Sequence, residues 1–224
     1  MQNKENKTAN QFILQQIKTV FLPFNCYKYR KMLGLKLATD PKWVNIVESN
    51  IEEILTDHAW CEQKAATNII TIITYNSEHV DLVTDLLVIA KEEIEHFQMV
   101  HNIIKERGLT LGRERKDDYV NELFKFLKKD GSRNDAFIDR LLFSAMIEAR
   151  SCERFKVLSQ NIEDKELAAF YKELMISEAG HYTTFLRFAR KYSEKVNVDK
   201  RWQEWIDFEG ELITNYGKKE TVHG

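Results

Sequence analysis

Residues 82–103 read LVTDLLVIAKEEIEHFQMVHNI. Leu82, Leu86, Ile89, Val100 and Ile103 recur at alternating spacings of four and three, the seam that turns one helix face toward a bundle core, and Glu93 and His96 stand inside it. A second stretch, LAAFYKELMISEAGHYTTFLRF at 167–188, repeats the arrangement. Leu167, Tyr171, Leu174, Glu178, His181, Phe185 and Phe188 each follow their counterpart by 85 residues. Two helices therefore carry Glu-x-x-His on their inward faces, whereas Glu92 and Glu95 fall off the stripe and are expected in solvent or hydrogen-bonded behind the inward pair.

The rest of the chain frames these helices. Its 224 residues are 43% hydrophobic and 30% charged, enough for one domain with a sizeable core, and 8 Gly and 2 Pro leave little punctuation for a many-stranded fold. Asp40-Pro41 predicts the start of a helix that runs to about Tyr75; Asn76 and Ser77 break it, and a second helix runs to about Arg107 before Gly108. After a polar connection containing GRERKDD and a short amphipathic helix around YVNELFKFLKK, two more helices are expected at about 134–160 and 165–192. The reading is all-α: a ferritin-like four-helix bundle of two hairpins joined by a long crossover. A final short helix carries Trp202 and Trp205 at 199–216. The expected organisation is a partly disordered lead-in at 1–39, the bundle at 40–216 and a frayed tail at 217–224.

Bulk properties exclude several classes. A net charge of -2 argues against a uniformly basic surface, and Cys26, Cys61 and Cys152 form neither CxxC pairs nor an even disulfide set. No apolar run of about 18 residues is present and no signal peptide is read, so a cytoplasmic protein without a membrane span is expected.

Burying ionised carboxylates costs several kcal/mol each unless they are paired, and a divalent metal offsets that cost. Carboxylates and neutral imidazoles suit iron, with manganese possible. Each Glu-x-x-His helix then needs a further carboxylate from its hairpin partner at the same height. Glu62 qualifies in the stripe Leu55, Ala59, Ala66, Ile69. The helix expected at about 134–160 offers Glu148 and Glu153 in IEARSCERF; SCER around Glu153 resembles WCEQ around Glu62, which favours Glu153, but residues at one height in a hairpin are equidistant from its turn, which favours Glu148. Glu148 and Glu178 have their midpoint at residue 163, inside the Asn161–Asp164 break, whereas Glu153 would move the turn to 165–166. The expected metal ligands are therefore Glu62, Glu93, His96, Glu148, Glu178 and His181, with Glu153 and His58 as groups that could hydrogen-bond behind them. His79, His101 and His223 are expected at the surface or in the tail, and Cys61 as a small core or pocket residue.

The segments DHAWCEQKAA (57–66), KEEIEHF (91–97), IEARSCERF (147–155) and SEAGHY (177–182) resemble the MiaE family of tRNA 2-methylthio-N6-isopentenyladenosine hydroxylases over about Leu35–Tyr192. The resemblance implies a non-haem di-iron monooxygenase that uses dioxygen and an electron donor to hydroxylate the isopentenyl group of a hypermodified adenosine next to the tRNA anticodon. It places the two irons on the same six residues. Cys152 and Phe155 are the candidate lining of the prenyl pocket. Candidate phosphate-binding cations are Lys105, Arg107, Arg113, Arg115 and Lys116, together with Arg187, Arg190, Lys191 and Lys195. A monomer or dimer is expected, and the alternative class is a ferritin- or rubrerythrin-like iron-binding or peroxide-reducing protein.

Overall fold

The computed structural model describes residues 32–128, 130–216, 219 and 221–223. The expectations for residues 1–31, including Cys26, lie outside the described residues. Among the described residues seven α-helices follow one another: α1 Trp43–Glu48, α2 Ile51–Tyr75, α3 Val80–Glu106, α4 Asp118–Lys125, α5 Arg133–Asn161, α6 Lys165–Tyr192 and α7 Val198–Leu212. The described residues contain no strand, as the composition predicts. The four long helices form two hairpins, α2 with α3 and α5 with α6.

Local chemistry explains the boundaries. Ser132 and Asp135 form a reciprocal capping box at the start of α5. The Asp164 carboxylate accepts from the backbone N–H groups of Glu166 and Leu167 to open α6, and Asn197 does the same for α7 through Lys200. The single helix expected over 40–75 is divided instead. Ser49 donates to the Asn45 carbonyl and the Asn50 side chain to that of Ile46, while Asn50 leaves helical geometry at φ -143°. The side chains share the last carbonyls of α1 while the Asn50 N–H turns to the Val47 carbonyl at 2.9 Å, so α1 and α2 meet at a kink.

Two apolar clusters fill the bundle, one around Leu86, Leu141, Phe185 and Trp205, the other around Leu55, Val100, Phe155 and Leu174. Between them along the helices lie the inward carboxylates and histidines. The final helix is held by a buried ion pair as well as by its tryptophans. Arg201 donates to both Asp139 oxygens at 2.7 and 2.9 Å, and Trp205 Nε1 donates to Asp139 Oδ1 at 3.0 Å. Removing one partner leaves a buried charge unpaired. Arg201→Ala is expected to lower unfolding stability by about 3–5 kcal/mol in urea titration, with Asp139→Ala similar and the double variant less than additive.

Candidate metal centre

Each long helix delivers its inward polar residues to one level. α2 brings His58 and Glu62, α3 brings Glu93 and His96, α5 brings Glu148, and α6 brings Glu178 and His181; all are buried. They form two overlapping groups. Glu62, Glu93, His96 and Glu178 present donor atoms within 4.8 Å of one another, and so do Glu93, Glu148, Glu178 and His181. Glu93 and Glu178 belong to both, while each group has one histidine and one carboxylate of its own.

Both imidazoles aim Nδ1 inward. His96 Nδ1 lies 3.8 Å from Glu62, 3.8 Å from Glu93 and 3.6 Å from Glu178, and His181 Nδ1 lies 3.8 Å from Glu148 and 3.6 Å from Glu178. His181 Nδ1 is also 2.9 Å from Glu93 Oε1, yet without the alignment of a hydrogen bond. Both oxygens of Glu93, Oε1 of Glu178 and both inward Nδ1 atoms are buried with no hydrogen-bond partner among the described residues. Native structures rarely leave so many polar atoms orphaned in one place. Four carboxylates and two imidazoles match the charge and the ligand chemistry of two divalent cations, so the residues present fit a dimetal group.

Without a cation the site is electrostatically divided. Burial opposes charge on every member, but the neighbouring carboxylates Glu62 and Glu93 hold His96 up at about 10, and His181 is raised as well. Against the same burial, the hydrogen bond from His58 and the nearby His96 imidazole hold Glu62 down at about 2. Glu148 goes the other way: desolvation and the adjacent Glu178 push it well above the usual carboxylate range.

The surrounding groups differ in part from the sequence reading. His58 is fully buried, and its Nε2 lies 2.6 Å from Glu62 Oε1, where it can orient that carboxylate. Glu92 reaches His181 Nε2 at 2.8 Å and plays the same part on the other side. Glu153 does not support the cluster. It accepts from Thr39 N and Oγ1 and from Arg150, whose guanidinium also binds Glu209, and so ties the segment before α1 to α5. Cys152 turns its thiol onto the Met175 carbonyl, whereas Phe155 and Cys61 line a cavity of about 20 Å³ beside the carboxylates.

His101 is exposed and His79 stacks on Tyr192, but His223 is buried in that same cavity. The tail expectation fails for Val222 and His223, because Val222 N donates to Asp57, and His223 finds polar partners on both ring nitrogens. Of the nine candidate phosphate-binding cations, Arg107, Arg115, Lys116, Arg187, Arg190 and Lys191 form ion pairs with nearby carboxylates, so neither group is a purely cationic face.

Comparison with known proteins separates the chemistries such a bundle can host. Residues 28–224 match the family described as tRNA-(MS[2]IO[6]A)-hydroxylase (MiaE). The chain belongs to the MiaE family. Among curated relatives, this MiaE-family chain is 33% identical to the tRNA 2-(methylsulfanyl)-N(6)-isopentenyladenosine(37) hydroxylase of Pseudomonas putida over 164 residues, 73% of this chain and 78% of that protein. The protein of the same name from Salmonella typhimurium is 30% identical over 142 residues, 63% of this chain and 51% of that one. The MiaE bundle is also similar to the solved structure of Protein 43 with aldehyde deformylating oxygenase activity from Synechococcus. That likeness has a TM-score of 0.78 at 27% identity and covers 85% of this chain and 95% of the other.

Replacing His58 with Phe removes a donor from a buried carboxylate. The Glu62 carboxyl is expected to titrate at higher pH in the metal-free protein, as read by carboxyl ¹³C NMR, at a stability cost of about 1–3 kcal/mol.

Proposed function

We propose that this chain hydroxylates the isopentenyl group of a hypermodified adenosine next to the tRNA anticodon, and that Glu62, Glu93, His96, Glu148, Glu178 and His181 hold two iron ions for that reaction. The observation that carries the reading is the sharing of Glu93 and Glu178 between two buried ligand groups in a MiaE-family chain. Bound by those residues, two ferrous ions would supply electrons to dioxygen and an oxidant able to attack an unactivated C–H bond. An external electron donor, a monomeric or dimeric state and a cytoplasmic location belong to the same reading; no described helix is long and apolar enough to cross a membrane.

The protein's own residues set the conditions. His58 and Glu92 hold Glu62 and His181 in orientation from outside the cluster. Phe155, Phe170 and Tyr171 surround His58 with ring centroids 4.8–5.8 Å away and keep water from that flank. The cavity of about 20 Å³ holds one water-sized molecule, so a five-carbon prenyl group enters only as lining side chains move. An iron-storage or peroxide-reducing role fits less well, because the family and both curated relatives are named as tRNA hydroxylases.

Two measurements test the proposal. Glu93→Ala and Glu178→Ala each remove a carboxylate from both groups, so purified protein is expected to lose most of both irons. Nucleoside mass spectrometry of cellular tRNA should then show the unhydroxylated isopentenyladenosine accumulating; unchanged hydroxylation in these variants overturns the assignment. Metal uptake should also depend on pH. Because His96 holds its proton up to about 10 in the metal-free protein, cations must displace that proton, and apparent affinity is expected to rise from about pH 6 to about pH 8. A flat profile in a titration of metal-free protein excludes His96 as a ligand.

A further inference from the structure

Three residues distant in sequence form one hydrogen-bonded line that ends in the cavity beside the carboxylates. Asp117 Oδ2 lies 2.9 Å from His223 Nδ1, and His223 Nε2 lies 2.9 Å from Ser151 Oγ. Asp117 caps α4, His223 lies on the segment after α7, and Ser151 sits on α5 one turn beyond Glu148. Ser151 and His223 line the cavity together with Glu62, Glu93, Glu148 and Glu178. At the other end, the Asp117 side chain is 13% exposed, the line's opening toward solvent.

The ring is held from several directions. Tyr119 stacks on it with planes 15° apart and centroids 5.9 Å apart, and the Val222 N–H anchors the adjoining backbone to Asp57 at 2.8 Å. Cys61 Sγ lies 3.6 Å from Nδ1. The charged and titratable groups facing the imidazole are therefore Asp117 from the cap of α4, Cys61 and Asp57 from α2, and Tyr119 from α4. Tyr119 O–H donates away from the ring to Glu209. Asp117 accepts from Nδ1–H and so fixes the tautomer that turns Nε2 toward Ser151. In the neutral ring Nε2 accepts the serine hydroxyl proton. In the imidazolium it donates to Ser151 Oγ, which frees the serine hydrogen to point into the cavity.

We propose that Asp117, His223 and Ser151 are a proton relay from solvent to the oxygen reduced in this cavity. The inference rests on the hydroxylase reading. Hydroxylation of a C–H bond by dioxygen consumes two electrons, here from an external one-electron carrier protein, and two protons. One oxygen atom is inserted into the C–H bond to give C–O–H, and the other leaves as water with the two added protons. In each delivery the imidazolium passes its Nε2 proton to Ser151 Oγ as the serine hydroxyl proton moves to the oxygen, Nδ1–H stays on Asp117, and a solvent proton recharges the neutral ring between the two deliveries. Ser151 faces the reacting oxygen, and His223 and Asp117 act through it.

The test uses the full chain, metal-free and iron-loaded. In the metal-free protein, ¹H–¹⁵N NMR of the imidazoles should show a slowly exchanging Nδ1–H of His223 that is lost in Asp117→Ala; its absence from the unsubstituted protein overturns the relay geometry. In iron-loaded protein, Ser151→Ala and His223→Gln should retain iron but form product about 10²-fold more slowly, with dioxygen diverted to peroxide and an altered solvent deuterium effect. Ser151→Thr, which keeps the hydroxyl, should restore coupling, and free imidazole should partly rescue His223→Gly. Wild-type coupling and isotope effect in both Ser151→Ala and His223→Gln overturn the relay while leaving the hydroxylase reading intact. Failure of the unsubstituted, iron-loaded protein to hydroxylate its tRNA overturns both.

Discussion

A layer of like charges in the middle of an apolar bundle constrains everything around it. Glu62, Glu93, Glu148 and Glu178 are each nearly inaccessible to water, and four carboxylates at that depth repel one another as well as losing hydration. In the metal-free protein the repulsion is relieved by protons, on the two imidazoles and on Glu148, whose carboxyl burial drives toward the neutral form. Under the proposed function, cations of the right charge replace those protons. The apolar clusters on either side are what make the exchange consequential, since they offer the layer no counter-charge of their own.

The same logic recurs away from the site, with a different solution. Arg150 sits fully buried between Glu153 and Glu209, and Arg201 pairs with Asp139 under Trp205. There the counter-charge is covalently part of the chain, and guanidinium geometry satisfies two carboxylates or a carbonyl at once. These closed networks fasten α7 and the segment before α1 to α5, the helix that supplies both Glu148 and Ser151.

Much of this was legible in the order of residues. The seven-residue rhythm of α3 and α6 exposed Glu93, His96, Glu178 and His181 as intruders in an apolar stripe, and the equal distances of Glu148 and Glu178 from the Asn161–Asp164 turn separated Glu148 from Glu153. What could not be read depends on contacts without periodicity. His223 is 72 residues from Ser151 and 106 from Asp117, on a segment with no repeating pattern to reveal an inward face. The kink at Ser49–Asn50 follows from two side chains competing for backbone carbonyls, an option those residue types have in many helices without taking it. Cys152 occupies a stripe position, yet its thiol bonds to the neighbouring helix backbone, a choice of rotamer that spacing does not encode.

That kink also bears on how the two halves of the bundle are aligned. Because α1 departs from the direction of α2, its last residue, Glu48, reaches the loop between α5 and α6 and accepts from the Glu163 N–H at 2.7 Å, while Thr39 grips Glu153 from the other side of α1. The first hairpin is thereby latched to the second at two heights. A slip of one helical turn, about 5.4 Å, would separate Glu93 from Glu178 and turn one shared basin of ligands into two incomplete ones. The bent, unremarkable lead into α2 thus acts as an alignment pin for a site to which it contributes no atom.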